Sequence, residues 1–175
     1  MKNLIIAGIL VLLLSSMVMA GETPFEKGTI SIGADFSAIY AYPELSTIST
    51  MPKISFFLTP NLMLGGSFAF DTYNYDSGDM SLFGIGPTVG YYFNTSQSHI
   101  AGSTFPFIKG QLTLITLGGD ADGTITLIGI EGGFSYMITD KFGLDANVHF
   151  RSLDSDNSDA ATNFGVGAGF SAFIN

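Results

Sequence analysis

Hydrophobic and polar residues alternate along most of this 175-residue chain, and the alternation returns in eight segments. In the stretch GTISIGADFSAIY (28–40), Ile30 and Phe36 share one parity, whereas Ser31 and Asp35 share the other. Successive side chains of a β-strand point to opposite faces, so this period predicts strands with one apolar face. The pattern predicts strands at about 28–40, 51–58, 62–73, 80–93, 105–117, 124–137, 142–151 and 162–174.

Turn-forming residues separate these segments. Pro60-Asn61 and Thr139-Asp140-Lys141 predict tight turns. The other connections are longer, and most are rich in Asp, Asn, Ser and Gly; they span 42–50, 74–79, 94–104, 118–123 and 152–161. An even number of strands with alternating short turns and long loops is typical of a transmembrane β-barrel, in which the short turns face the periplasm. The eleven-residue connection 94–104 breaks this rule, because it falls on the side of the short turns.

The distribution of charge predicts which face of the barrel is outside. The apolar parity carries no charge within the predicted strands, whereas the other parity is rich in Gly and Ser and holds the ionisable side chains Asp35, Lys53, Lys109, Glu131, Asp145, His149 and Arg151. A water-facing outer surface is normally covered by Lys and Glu, and the interior of eight strands is only just wide enough for side chains. We therefore predict an outward apolar face and an interior charge network.

Two local expectations follow for that barrel. Pairing of the fifth and sixth strands brings Lys109 close to the position opposite Glu131, which predicts an interior ion pair, because an unpaired buried charge is costly. The pair could form a structural plug or an ion gate, and we favour the plug because eight-stranded barrels lack an aqueous channel. Pro87 removes a ladder donor from the fourth strand and predicts a bulge or bend there.

The first twenty residues have the composition of a removable leader. Lys2 precedes the apolar run Leu4–Leu14, and small residues at Val18-Met19-Ala20 predict cleavage before Gly21. This arrangement is typical of a secretory signal peptide, and the run is shorter than the ~20 residues of a spanning helix. Residues 21–175 then form one domain. The chain has 15 Asp and Glu against 6 Lys and Arg, which argues against nucleic-acid binding.

The leader, the eight alternating strands and the final segment GVGAGFSAFIN (165–175) resemble the small outer-membrane β-barrel family of OmpA/OmpX-type and opacity-like proteins. The resemblance covers about residues 25–175. It implies an all-β, eight-stranded antiparallel up-and-down barrel in a bacterial outer membrane. Implied partners are outer-membrane lipid, lipopolysaccharide and the barrel-assembly machinery. We expect no cofactor and a monomer, although the sequence itself does not set the oligomeric state. Members usually end in an aromatic residue, whereas this chain ends in Asn175.

Aspartates cluster in the predicted outer loops, at Asp76, Asp79, Asp120, Asp122, Asp154, Asp156 and Asp159. Oxygen-rich loops can hold Ca²⁺ or Mg²⁺, but the stretch DSDNSD (154–159) lacks the Gly and the distal Glu of an EF-hand loop. We therefore expect a solvated acidic rim without a dedicated metal site. Divalent ions could bridge this rim weakly to lipopolysaccharide phosphates, and an unknown extracellular ligand could bind there.

Four functions are compatible with this pattern. The favoured one is a structural or surface-interacting outer-membrane barrel with a closed lumen. The alternatives are a narrow pore, a soluble periplasmic lipocalin-like binding barrel and a lipid-modifying enzyme. The enzyme would use His149, Ser152 and Asp154, but the spacing of three places His149 and Ser152 on opposite strand faces. We therefore predict no catalytic residues.

Overall fold

The chain folds into a closed antiparallel barrel of eight strands in a computed structural model that describes residues 24–41, 45–75, 78–93, 99–117, 124–155 and 158–175. The strands are β1 (Ile30–Ala41), β2 (Leu45–Thr59), β3 (Leu62–Tyr75), β4 (Gly78–Tyr92), β5 (Thr104–Leu117), β6 (Thr124–Thr139), β7 (Phe142–Ser155) and β8 (Ser158–Ile174). Each strand pairs with its sequence neighbours, and β8 closes the sheet onto β1. The predicted fold class is confirmed. The predicted leader lies outside the described residues.

No helix in the described part of the chain is long and apolar enough to cross a membrane.

Several strands are longer than the sequence pattern predicted. β2 begins at Leu45 instead of residue 51, β7 continues to Ser155, and β8 begins at Ser158. The predicted ends were set where apolar alternation stops, but an antiparallel ladder requires only backbone donors and acceptors. Polar residues beyond the apolar belt therefore continue the pairing, and the predicted loops 42–50, 74–79 and 152–161 are much shorter in the structure.

The apolar parity faces outward, as predicted. Ile130 is 58% exposed and Phe134 is 57% exposed, whereas Thr113 and Ser135 on the opposite parity are fully buried. The exposed large hydrophobic side chains come from all eight strands. Such an apolar belt is expected where the outer surface contacts hydrocarbon, because closure of the barrel satisfies every ladder and leaves no sheet edge.

Small side chains interrupt this belt at the seam between β1 and β8. Ala34 and Ala172 have outward parity but are buried. Ala34 pairs with Phe170, and Ala172 pairs with Phe142. The Phe170 ring also lies beside the rings of Phe36 and Phe142, with centroids 6.5 and 6.2 Å away. Large rings therefore cover the small side chains between them.

The two predicted tight turns are present at the same end of the barrel as both termini, which we call the terminal end. Pro60-Asn61 joins β2 to β3, and Asp140-Lys141 joins β6 to β7. Asn61 has a φ of 73°, in the left-handed region that Asn tolerates better than most residues. The opposite end, where the connections 42–44, 76–77, 118–123 and 156–157 lie outside the described residues, is the loop end.

Pro87 does not produce the predicted bulge. It pairs in register with Gly66 of β3. Toward β5, Ile85 and Thr88 keep the same register, but Gly86 and Pro87 between them have no paired residue, so the ladder is interrupted at the proline. Proline lacks a backbone donor, so the ladder loses a bond locally without the extra residue that a bulge requires.

Candidate functional site

Charged side chains of inward parity occupy the middle of the barrel lumen. We call the set the waist; it consists of Asp35, Lys53, Lys109, Glu131, Asp145, His149 and Arg151. Apart from Glu131, which is half-buried, every member is buried. The waist contains three carboxylates, three basic side chains and one imidazole, so its formal charges cancel when the imidazole is neutral.

Lys109 is the centre of the waist. It lies directly opposite Glu131 in the ladder between β5 and β6, and its Nζ is 3.3 Å from Glu131 Oε1. The same Nζ is 3.7 Å from Asp145 Oδ2 on β7, and 3.7 Å from the centroid of the Phe107 ring. Ser171 on β8 donates to Asp145 Oδ2 at 2.8 Å. One ammonium group therefore links three strands, and the hydroxyl extends the network to a fourth.

Other members of the waist connect both neighbouring and non-adjacent strands. Lys53 on β2 forms an ion pair with Asp35 on β1. Arg151 on β7 extends across the lumen to β2, where its Nη1 is 3.4 Å from Ser49 Oγ and its Nη2 is 3.0 Å from Met51 Sδ. The Lys53–Asp35 pair reinforces the ladder between two neighbouring strands, whereas Arg151 connects opposite walls of the barrel.

Glycines on β8 provide the space that the waist occupies. Every second residue of 165–169 is glycine and faces the lumen. A Cβ at these positions would collide in turn with His149 Nε2, Asn147 Oδ1 and Asp35 Oδ1. Within the described residues, His149 Nε2 has no hydrogen-bond partner. The side chains of His149, Asn147 and Asp35 therefore occupy the space over the glycine face of β8.

An apolar cluster fills the lumen at the terminal end. It consists of Phe25, Phe57, Met63, Tyr92, Ile100, Phe105, Phe107, Met137 and Phe173. Phe25, which precedes β1, is 1% exposed, and its ring centroid lies 4.7 Å from that of Tyr92 and 4.9 Å from that of Phe105. Asn61 donates its backbone N–H to the carbonyl of Phe25 at 2.8 Å, which holds the segment in place. We call these nine residues the terminal plug.

The long connection 94–104 contributes to the terminal plug. Its described part, 99–103, carries Ile100 into the cluster. Gly102 donates to the carbonyl of Met137 at 2.7 Å, and Met137 donates back to that of Ser103 at 2.9 Å. This segment folds against the barrel end, which explains why a connection on this side exceeds the length of a tight turn.

A second apolar cluster lies on the other side of the waist, toward the loop end. Leu82, Ile115 and Leu127 form it, and the half-buried side chains of Ile125 and Leu153 pack against it. The lumen is therefore layered: an apolar plug, a charge-balanced waist and an upper apolar layer.

The predicted acidic rim is not brought together by the described residues. Asp79, Asp154 and Asp159 lie within strands β4, β7 and β8 instead of in loops, because the ladders continue past the apolar belt. The remaining predicted positions, Asp76, Asp120, Asp122 and Asp156, lie outside the described residues. In the described ranges, no group of three or more His, Asp or Glu side chains is arranged to hold a metal ion.

The residues considered for lipid-modifying chemistry point in different directions. His149 is buried in the lumen, whereas Ser152 has outward parity and Asp154 is exposed. A nucleophile and its base must be within hydrogen-bond reach of each other. This geometry provides no such pair.

Sequence reasoning missed the apolar layers of the lumen. Phe57, Phe105 and Phe173 have the same parity as the waist charges, near the ends of their strands. Following the inward parity to the strand ends would have revealed these residues. Phe25 gives no such signal, because it precedes the first alternating segment.

Comparison with solved structures gives the same architecture. No protein-family model matches the chain, and no curated protein matches it. The structure is similar to Neisserial surface protein A, with a TM-score of 0.62, 19% identity and coverage of 82% of this chain and 95% of that one. It is also similar to the N-terminal β-barrel domain of Pseudomonas aeruginosa OprF, with a TM-score of 0.55, 18% identity and coverage of 85% and 98%. The outer membrane protein OprG of the same organism gives a TM-score of 0.56, 11% identity and coverage of 88% and 100%. The predicted resemblance is confirmed at the level of the fold, and the chain has the architecture of the small eight-stranded outer-membrane β-barrels.

Proposed function

We propose that this chain is an integral protein of a bacterial outer membrane with a closed lumen and a structural or surface-interacting role. The terminal plug is the observation that carries the proposal. Phe25, Phe57, Phe105 and Phe173 are each at most 1% exposed, so aromatic rings fill the barrel at that end. An ion crossing this layer would lose its hydration without a polar replacement, which is very costly.

The waist supports a plug more than a gate. Its ion pairs Lys53–Asp35 and Lys109–Glu131 neutralise charges that are buried between two apolar layers. Opening the waist alone would leave both apolar layers in place. The charged waist is nevertheless the feature that favours the second candidate, a narrow pore, because polar side chains are the ones that could line a path for ions.

The other two alternatives have less support. A soluble lipocalin-like barrel would bury its apolar parity inside, whereas here that parity forms the exposed belt. We also infer that the chain has no enzymatic role, because His149 is separated from Ser152 by the barrel wall. The partners proposed for the barrel are outer-membrane lipid, lipopolysaccharide at the acidic loop end and the assembly machinery that inserts it.

Cell fractionation combined with planar-bilayer recording tests the proposal. We expect the mature chain in the outer-membrane fraction, migrating differently on gels with and without boiling. After refolding into a planar bilayer it should show no conductance steps, under conditions in which a wide porin does. The variant K109Q/E131Q should stay silent as well, because both apolar layers are intact.

Two results would reject the proposal. Recovery of the chain in the soluble periplasm would reject membrane insertion. Reproducible conductance steps in the wild type that disappear in K109Q/E131Q would reject the closed lumen and establish an ion path through the waist. K109Q/E131Q removes one positive and one negative charge, so its matched control is K27Q/D154N, which removes one of each from exposed positions outside the lumen.

A further inference from the structure

An apolar groove lies on the outer surface of β1–β3, close to the terminal end. It has a volume of about 560 Å³, within the range of ligand-binding sites. Its lining residues are Ile30, Ile54, Ser55, Phe56, Leu64, Gly65 and Gly66. Two of these residues are glycines, and the side chains of Ile54, Phe56 and Leu64 are exposed. The groove is outside the lumen and separate from the waist and the plug.

Gly66 keeps the groove open, and the packing of the barrel does not require a glycine there. Gly66 has outward parity and pairs with Ile54. A Cβ at this position would meet only the carbonyl oxygen of Gly86, at an ordinary contact distance of 3.8 Å. Gly66 is also not among the glycines with positive φ. A larger side chain could therefore be accommodated by the fold, and it would fill the groove.

An exposed cation lies next to the groove. The chain has six Lys and Arg residues: Lys2, Lys27, Lys53, Lys109, Lys141 and Arg151. Lys2 is outside the described residues, three of the others are in the waist, and Lys141 is buried. Among the described residues, Lys27 is thus the exposed basic side chain. Ile30 lies opposite Phe56, and Gly28 donates to the carbonyl of Phe57 at 2.8 Å, so the backbone of Lys27 lies beyond these residues, on the terminal side of the groove.

The groove begins at the level expected for a membrane interface. Leu64 is two residues from the first residue of β3, a distance of about 7 Å along the strand. The exposed rings of Tyr91 and Phe93 also lie at the terminal end of the barrel, and aromatic residues of this kind are enriched at membrane–water interfaces. A lysine at such a level extends its ammonium toward the headgroups while its stem covers apolar surface.

We propose that the groove and Lys27 together bind one glycerophospholipid of the leaflet at the terminal end. One acyl chain lies over Gly66 between Ile54 and Leu64, and the headgroup phosphate lies beside the Lys27 ammonium. The inference rests on the proposed membrane insertion, with the terminal end facing the periplasm. The pairing of a negative headgroup with the exposed cation distinguishes this site from the rest of the apolar belt.

Native mass spectrometry of the full barrel, released from nanodiscs that contain equal amounts of phosphatidylglycerol and phosphatidylcholine, tests this site. The wild type should retain one phospholipid, enriched in phosphatidylglycerol. G66L should lose most of the retained lipid, because the leucine fills the groove. K27Q should keep a lipid but lose the preference for phosphatidylglycerol by about fivefold, the effect of one interfacial lysine at an anionic surface. K27R should behave as the wild type.

G132L is the matched control, because Gly132 also faces outward and a Cβ there has no neighbour within 4 Å, yet it does not line the groove. All variants should show the heat-dependent gel shift of a folded barrel, so failure of this site is distinguishable from failure of membrane insertion. Equal lipid retention by G66L and the wild type, or equal loss in G66L and G132L, would overturn the proposal. Retention of a second protein copy in place of a lipid would also overturn it.

Discussion

Replacing Lys109 with methionine tests the central claim about the waist. Methionine keeps an unbranched apolar stem but removes the ammonium that lies 3.3 Å from Glu131 Oε1 and 3.7 Å from Asp145 Oδ2. Lys109 is 4% exposed, so the site is closed to bulk water. The substitution leaves two carboxylates in the lumen without their shared cation.

The cost in free energy of unfolding should differ between the removal of Lys109 and the removal of Glu131. Removing one partner of a buried ion pair costs about 3–5 kcal/mol, because the remaining charge is uncompensated. We expect K109M to lower the free energy of unfolding by that amount. E131Q should cost only about 1–2 kcal/mol, because Lys109 keeps Asp145 and the new amide can still accept a hydrogen bond.

The assay is a urea titration of the barrel in detergent micelles without phospholipid. The chain has no tryptophan, so far-ultraviolet circular dichroism and gel mobility are the appropriate probes. K27M is the control, since it removes an exposed lysine and should change the free energy of unfolding by less than about 0.5 kcal/mol. If K109M costs no more than E131Q, Lys109 does not act as a shared counter-ion, and the reasoning about the waist is wrong.

The same titration provides three further tests. F25A should lower the free energy of unfolding by about 3–5 kcal/mol, because Phe25 is 1% exposed in the terminal plug, whereas F134A on the exposed belt should cost less. G169V should cost about 1–3 kcal/mol through overpacking, since a Cβ there meets the Asp35 carboxylate and the Ala34 carbonyl, whereas G132V should leave the folded fraction on gels unchanged. N61V should cost about 1–2 kcal/mol because of the φ of 73°, and N61G should cost less, since glycine adopts this φ without strain.

The number of strands and the face that points outward could be predicted from the sequence, because each strand shows an alternation of apolar and polar residues and turn residues separate the strands. A residue such as Ile130 must have an outward-facing neighbour two positions away, and this relation is visible in the chain itself. Strand ends depend on backbone pairing, and beyond the apolar belt the pattern of side chains does not show where this pairing stops. The continuation of β7 to Ser155 therefore could not be read from hydrophobicity.

The interior was predictable only where contacts follow from strand pairing. Lys109 and Glu131 lie at similar sequence distances from the connection between β5 and β6, so the sequence alone predicts that they face each other in the ladder. The approach of Arg151 to Ser49 and Met51 joins strands on opposite walls, so it depends on how the sheet closes. The insertion of Phe25 depends on a segment with no periodicity, and only the folded barrel reveals the pocket that it fills.

The waist favours one register of strand pairing over others that the outer face of the barrel cannot distinguish. A register slip of one residue would turn every apolar side chain inward, and is strongly disfavoured. A slip of two residues between β5 and β6 keeps the apolar face outward, and the proposed lipid surroundings would not discriminate between one apolar side chain and another. That slip would place Lys109 opposite Gly129 or Gly133 instead of Glu131, about 7 Å away along the strand. The buried charges thus penalise the alternative registers that the apolar belt tolerates, which is a reason for a closed barrel to retain charged side chains between two apolar layers.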